Sequence, residues 1–240
     1  MIKDLQFDSG LAGCRVGELS LGETSALSLV GLASDIGDYD LVYLKTGMRQ
    51  DLNLLLDGFD WILADVKIEF SRNIGEVGYK PLALAPEDFY TKSDIEEVVR
   101  LGKDLYKASR FYFDPNTRGL GQKIYEEWIN NSINKTLADE IVVCRDGRGK
   151  VIGFVTVKIC PEFAEAVLAK VDPSHAGKGY GKILMNKCYN YIARNDLDAK
   201  VIAHTQIKNN VALRLHQSFG LRMEDYGFVY HIYPKGFREI

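Results

Sequence analysis

Apolar residues recur along this chain with two different spacings, and the switches between them mark its elements. In the first part, residues 14–21, 41–45 and 59–70 read as strands. Helical spacing covers 23–36, where Leu27, Leu29, Val30, Leu32 and Ala33 form one side, and 50–57, which Gly58 stops. On the long strand, Trp61, Leu63, Asp65 and Lys67 share a face that mixes an aromatic with charges. Residues 72–79 carry two glycines and no periodicity, so a domain boundary is expected there, dividing the chain into 1–78 and 79–240.

The second part opens with a predicted strand over 81–85. A helix capped at Ser93-Asp94 follows, with Ile95, Val98, Val99 and Leu101 inward. Asp114-Pro115-Asn116 breaks the chain before a helix over 121–133. Strands over 140–144 and 151–159 flank a hairpin turn, Asp146-Gly147-Arg148-Gly149. A strand over 166–171 ends at Asp172-Pro173, because proline lacks a ladder donor. Ile183, Leu184, Cys188, Tyr191 and Ile192 then follow at helical spacing. Strands over 200–205 and 228–233 enclose a helix over 209–219. The order is β-α-α-β-β-β-α-β-α-β, a mixed α/β sheet with helices on its faces.

Between the strand at 166–171 and its helix, Gly177, Gly179 and Gly181 alternate with Lys178 and Tyr180. The first N–H groups of a helix have no internal partner and lie at the positive end of its dipole, and glycine lets a ligand approach them. That makes a backbone anion site suited to a phosphate or pyrophosphate. The spacing excludes two of the familiar versions. A dinucleotide loop needs G-x-G-x-x-G, but the sixth position is Lys182 or Leu184. A Walker loop needs a Ser or Thr after Gly181-Lys182 and a glycine at Ala176, and has neither.

The remaining pattern, a strand, an Arg/Gln-x-x-Gly-x-Gly/Ala turn and a helix, resembles the coenzyme A pyrophosphate loop of the GNAT superfamily of acyl-CoA N-acyltransferases. It stands here as Ala176-Gly177-Lys178-Gly179-Tyr180-Gly181, with alanine in the place of Arg or Gln. About thirty residues on, Asn209, Ala212 and Gly220 match a second pattern of that family, and His216 replaces its tyrosine. The resemblance implies the GNAT fold over 79–240, with an extra small N-terminal α/β domain. It also implies acetyl-CoA bound at Ala176 to Gly181, Asn209 and Ala212, and a backbone N–H at a bulge near Ala169, Lys170 and Val171 that holds the thioester carbonyl. His216 is then placed to protonate the departing thiolate, as histidine and thiol pKa values are close enough for useful proton transfer.

A narrower resemblance rests on Phe7-Asp8-Ser9 with Gly13, Gly58-Phe59, Ser109-Arg110-Phe111 with Asp114, and Tyr125 with Trp128-Ile129-Asn130-Asn131-Ser132. These look like the dTDP-fucosamine acetyltransferase group, which acetylates the amine of nucleotide-linked deoxyamino sugars. Asp65, Ser109, Arg110 and Asp114 become the expected acceptor-binding residues, while Tyr125 and Trp128 read as core packing. The alternatives are acetylation of a peptide, a lysine or a small amine, or a coenzyme A-binding module without catalysis.

Composition narrows these readings slightly. The chain has 240 residues, 46% hydrophobic and 26% charged, with a formal net charge of −3. This is ordinary for a globular protein and gives no sign of a nucleic-acid partner. No run of eighteen apolar residues and no signal-like start is present, so a cytoplasmic location without membrane contact is expected. Cys14, Cys144, Cys160 and Cys188 lie far apart and read as free thiols. No Ser-His-Asp or Cys-His arrangement and no metal-ligand spacing is present, so direct acetyl transfer to a small-molecule amine, without metal, is expected, with a homodimer left open.

Overall fold

The computed structural model describes residues 2–21, 29–49, 52, 58–77, 83–195, 199–237 and 240. Nine strands among them form one mixed sheet: β1 (Lys3–Asp4), β2 (Val16–Leu21), β3 (Leu41–Thr46), β4 (Phe59–Asn73), β5 (Glu140–Arg145), β6 (Val151–Ile159), β7 (Phe163–Val171), β8 (Lys200–Gln206) and β9 (Arg222–Pro234). Their order across the sheet is β1-β2-β3-β9-β4-β8-β7-β6-β5. The pairs β2–β3 and β7–β8 are parallel, and the other ladders are antiparallel. Strand β4 therefore lies between β8 and β9, and the sheet runs unbroken from the first part of the chain into the second.

The helices are α1 (Gln6–Ala12), α2 (Leu29–Ile36), α3 (Ile95–Gly102), α4 (Arg110–Phe113), α5 (Arg118–Ile133), α6 (Tyr180–Asn195) and α7 (Asn210–Ser218). One face of the second part is sealed by Leu184, Met185, Cys188 and Ile192 of α6 against Ile68, Phe70, Val155, Val201 and Ala203. On the opposite face, Val98 and Leu101 of α3 and Ile129 of α5 cover Val143, Phe154 and Leu168. Gly102 lets α3 and α5 approach closely there, since a Cβ would stand 1.8 Å from Ile129 Cδ1 and make that side chain move. Further along this face, Phe111 of α4 and Leu120 and Ile124 of α5 pack on Leu41, Tyr43 and Tyr233. On the strip of sheet beside these clusters Lys67 is exposed and Glu69 and His204 are half-buried.

Most expected elements form near their expected bounds. The helix expected over 50–57 and the first residues of that expected over 23–36 lie outside the described residues. Three expectations need correction. Trp61, Leu63, Asp65 and Lys67 do not share one face: a bulge between Leu63 and Asp65 shifts the register, so Trp61 and Leu63 pack with Tyr230 and Ile232 while Asp65, opposite Val229, and Lys67, opposite Gly227, turn to the other side. Ala83, Leu84 and Ala85 form no strand; a 3-10 turn at Pro86–Asp88 intervenes, and pairing with edge strand β5 is reduced to one bridge, Phe89 to Val142. Strand β9 starts at Arg222, six residues before its expected start at 228. Residues Arg222 to Tyr226 are all exposed, so they carry no burial pattern; the ladder to β4 alone makes them strand. The cysteines are free thiols, Cys144 and Cys188 fully buried.

Candidate active site

The site begins where two parallel strands part. Strands β7 and β8 pair from Phe163–Lys200 to Ala166–Ala203 and no further. Beyond that point β7 stays with β6 as far as Val171, and β8 stays with β4 as far as Gln206. A bulge explains the divergence. Two residues of β7, Val167 and Leu168, face the single residue Thr156, whose buried Oγ1 accepts the Leu168 N–H at 3.0 Å. Such a bulge bends its strand and increases local twist. It lies just ahead of Ala169, a little earlier than the position expected from sequence. The edge of β7 from Ala169 to Val171 thus faces a cleft and not a neighbouring strand.

At the end of that cleft β7 runs into the glycine turn. Asp172 organises the entry, accepting from Ser174 N–H at 3.0 Å and Oγ at 2.7 Å and pairing with Arg100 of α3 at 2.9 Å. The Ser174 bonds, helped by Arg100, hold the Asp172 carboxyl down at about 2. Gly177 and Gly179 have φ of +75° and +85°, where L side chains are strained. A Cβ on either would meet no atom within 4 Å, so their free faces open outward. Helix α6 starts at Tyr180, and its first N–H groups have no intrahelical acceptor.

Turn, strand edge and α7 enclose a cavity of about 370 Å³. Ala169, Lys170, Val171, Ala176, Gly177, Gly179, Tyr180, Gly181, Asn209, Ala212 and His216 all line it. Lys178 does not; its Nζ turns back to Ser174 O at 3.0 Å. Asn209 caps α7, its Oδ1 accepting the Ala212 N–H at 3.1 Å. Leu105, His175, Met185 and Leu215 also line it. Nothing in the sequence pattern separated these four from ordinary core and loop residues.

His216 stands on the inner wall, buried against Phe70 with ring centroids 5.5 Å apart. Burial pushes its pKa down to about 4, so the ring is neutral at pH 7. Its Nδ1 is buried with no hydrogen-bond partner among the described residues. A neutral imidazole offers one N–H donor and one lone pair, so the ring keeps hydrogen-bonding capacity at the cavity wall.

The four expected acceptor residues part company. Arg110 stacks its guanidinium 4.5 Å from the Tyr43 ring centroid and 4.6 Å from that of Phe111. Its charge reaches Asp8 and Asp65. Burial pushes the Asp65 carboxyl up to about 6, with Arg110 opposing the rise. Ser109 is buried and donates to Tyr106 O at 2.6 Å. Asp114 is wholly buried, accepting from His231 Nδ1 at 2.6 Å, from Asn116 N–H at 3.0 Å and from the Tyr233 hydroxyl. It ties the end of α4 to β9 and lines neither the cavity under α6 nor the one described next.

The strip of sheet beside Arg110 and Asp65 carries charges that sequence reading did not single out. Lys45 of β3, Lys67 and Glu69 of β4, His204 of β8 and Asp225 of β9 line a second cavity of about 150 Å³, with Tyr226 and Phe228 at its side. Only Asp65 and Lys67, two residues apart on the long strand, hinted at this surface.

Residues 103–221 match the family model described as Acetyltransferase (GNAT) family. The chain carries a GNAT acetyltransferase domain, and its mixed sheet is the GNAT fold. It is 29% identical over 164 residues to the spore coat polysaccharide biosynthesis protein SpsD of Bacillus subtilis, an alignment covering 62% of this chain and 55% of that protein. It is 26% identical over 137 residues to the dTDP-fucosamine acetyltransferase of Escherichia coli, covering 55% of this chain and 57% of that enzyme. The chain thus spans little more than half the length of these relatives. A solved GCN5-related N-acetyltransferase from Sphaerobacter thermophilus superposes with a TM-score of 0.59 at 11% identity, over 96% of this chain and 75% of that one, a likeness of fold. Among the described residues no helix is long and apolar enough to cross a membrane, and no cluster of three or more His, Cys, Asp or Glu could hold a metal.

Proposed function

We propose that this protein transfers an acetyl group from acetyl-CoA to the primary amine of a nucleotide-linked deoxyamino sugar, by direct attack of the amine. The observation that carries the reading is the opening between β7 and β8, with a backbone anion site at one end and a charged strip of sheet beside it. The residues present fit coenzyme A. The outward faces of Gly177 and Gly179 and the N-terminus of α6 suit its pyrophosphate, and the free edge of Ala169 to Val171 suits an extended amide-bearing arm. When bound, acetyl-CoA supplies an activated thioester. The β7 edge donates a backbone N–H to its carbonyl, where charge develops during attack. His216, neutral in its buried site, donates a hydrogen bond toward the leaving sulfur.

The acceptor half of the reading draws on the strip. Lys45 and Lys67 supply cations for a diphosphate, Arg110 lies next to them in its stacked position, and Asp65 offers a hydrogen-bonding carboxyl to a sugar. The relatives concerned with polysaccharide and with dTDP-fucosamine support a sugar acceptor. The test is thiol release from acetyl-CoA with a panel of dTDP- and UDP-amino sugars against peptides, lysine and polyamines. A preference of at least tenfold in kcat/KM for a nucleotide sugar is expected. A preference for peptides or free amines would overturn the sugar assignment, and no release with any amine would overturn the transferase reading.

A further inference from the structure

Another pair of cavities lies at the opposite end of β8, where that strand begins. One, of about 230 Å³, is walled by Ile74, Val201 and Leu221 and by the rings of Tyr189 and Phe219, which meet edge to face at 5.1 Å. The other, of about 320 Å³, is polar, with Ser71, Asn73, Lys200, Arg222 and Glu224 around it. Arg72 lines both. Its Nη1 donates to Phe219 O, and Gly220 lets the end of α7 close over it: a Cβ there would stand 3.0 Å from Nη1, on a backbone with φ of +74°. Register brings the other cations alongside. Lys200 stands opposite Asn73 in the β4–β8 ladder, and Arg222 opposite Ser71 in the β4–β9 ladder. Three cations thus meet one carboxylate, and none of the three forms a salt bridge among the described residues. Neither cavity shares a residue with the cofactor cavity or with the one on the charged strip.

We propose that the two cavities form one effector site for a small aromatic anion, a ring system bearing a carboxylate or phosphate, distinct from the cofactor and acceptor sites. An apolar cavity of about 150 Å³ is enough to hold a benzene ring, so the apolar half has room for a ring system. Tyr189 and Phe219 offer it aromatic faces and edges. The polar half has an excess of positive charge beside an apolar wall, which draws an anion, and a guanidinium matches the planar oxygens of a carboxylate or phosphate. An uncharged ring has nothing for the cations, and a bare anion leaves the apolar half unfilled. Helix α7 joins this site to the cofactor cavity. Ser218 and Phe219, at its end, line the apolar half, while Asn209, Ala212 and His216 line the cofactor cavity. The helix has nine residues, a length of about 13 Å. The Phe219 and Leu221 N–H groups both bond to His216 O, at 3.1 and 3.2 Å, so displacement of this wall reaches His216. Occupancy therefore changes acetyl-CoA affinity, and acetyl-CoA changes the effector's affinity by the same factor. The coupling rests on the cofactor reading above; the binding does not.

The experiment titrates naphthyl phosphate into the protein by calorimetry, without acetyl-CoA and then at saturating acetyl-CoA, beside naphthalenemethanol and inorganic phosphate as the uncharged and the ringless controls. One saturable site is expected, occupied together with acetyl-CoA, with both controls binding at least tenfold more weakly. The double variant Lys200→Glu with Arg222→Glu changes two exposed side chains, so it should fold, and it is expected to weaken naphthyl phosphate at least tenfold. Saturating naphthyl phosphate should alter acetyl-CoA affinity by threefold or more. Absence of a saturable site in the wild type would overturn the proposal even if the variant does not fold. So would displacement of the naphthyl phosphate by acetyl-CoA, a control that binds as tightly, an affinity untouched by the charge reversal, or an acetyl-CoA affinity that ignores the occupant. Failure of the cofactor reading is separate, being read from the wild type alone as no binding of acetyl-CoA.

Discussion

The two cavities beside the β7–β8 opening are built on different principles. The one under α6 has a polar end made of backbone: a strand edge, left-handed glycines and the start of a helix from residues 169–185, closed on its far side by α7. The one on the charged strip is made of side chains from β3, β4, β8 and β9, set side by side only by the sheet. A backbone site tolerates changes in its side chains as long as dihedrals and open space are kept. A side-chain site tolerates backbone drift poorly and can be retuned by one substitution. The first suits a ligand shared by a whole family, and the second suits an acceptor that differs between members.

That contrast can be broken most sharply at Gly179. With φ at +85° and its free face open, Gly179→Val strains the turn and projects methyl groups into the cavity. Acetyl-CoA affinity measured by calorimetry is expected to fall by more than about 10²-fold, while the fold seen by circular dichroism is kept. Unchanged affinity in a folded variant would move the cofactor elsewhere.

His216 is the side chain on which the backbone-built cavity does depend. Its pKa is depressed to about 4, so its contribution to stability is full above the unfolded value near 6.5 and is lost as pH falls toward 4. His216→Gln, which cannot titrate, is expected to lose about 2 kcal/mol less than wild type between pH 7.5 and 4.5 in urea unfolding. The same variant should turn over roughly tenfold more slowly at pH 7 without a shifted pH profile, because the neutral ring does not titrate there. A wild-type profile governed by a group near pH 6.5 that vanishes in the variant would contradict the neutral-donor role.

On the side-chain-built cavity, Lys67→Ala should raise KM for an anionic acceptor by roughly tenfold and leave acetyl-CoA affinity alone, the loss shrinking in high salt. An equal loss for an uncharged amine would remove the phosphate role. The smallest effect is expected at Lys178, the one loop residue turned away from the cavity. Lys178→Ala should change acetyl-CoA affinity by less than about twofold, since an exposed contact of this kind contributes little.

What sequence alone determined follows from the range over which each interaction acts. The apolar pattern reads burial, so helices with one buried face and apolar strands were legible, β6, buried on both faces over most of its length, to the residue. The turn from Ala176 to Gly181 was legible because its chemistry is local: glycine spacing, a strand before it and a helix after it. The exposed first half of β9 was not, because a ladder to β4 and not an apolar face makes it strand. Asp114 and Arg110 were read together from one break between helices, yet the fold turns Asp114 inward to His231 and Tyr233 and leaves Arg110 stacked beside the strip. Arg72, Lys200 and Arg222 lie far apart in the chain and carry no shared spacing. Only the insertion of β4 between β8 and β9 brings these three side chains to one end of the sheet, because sheet register is decided by long-range pairing.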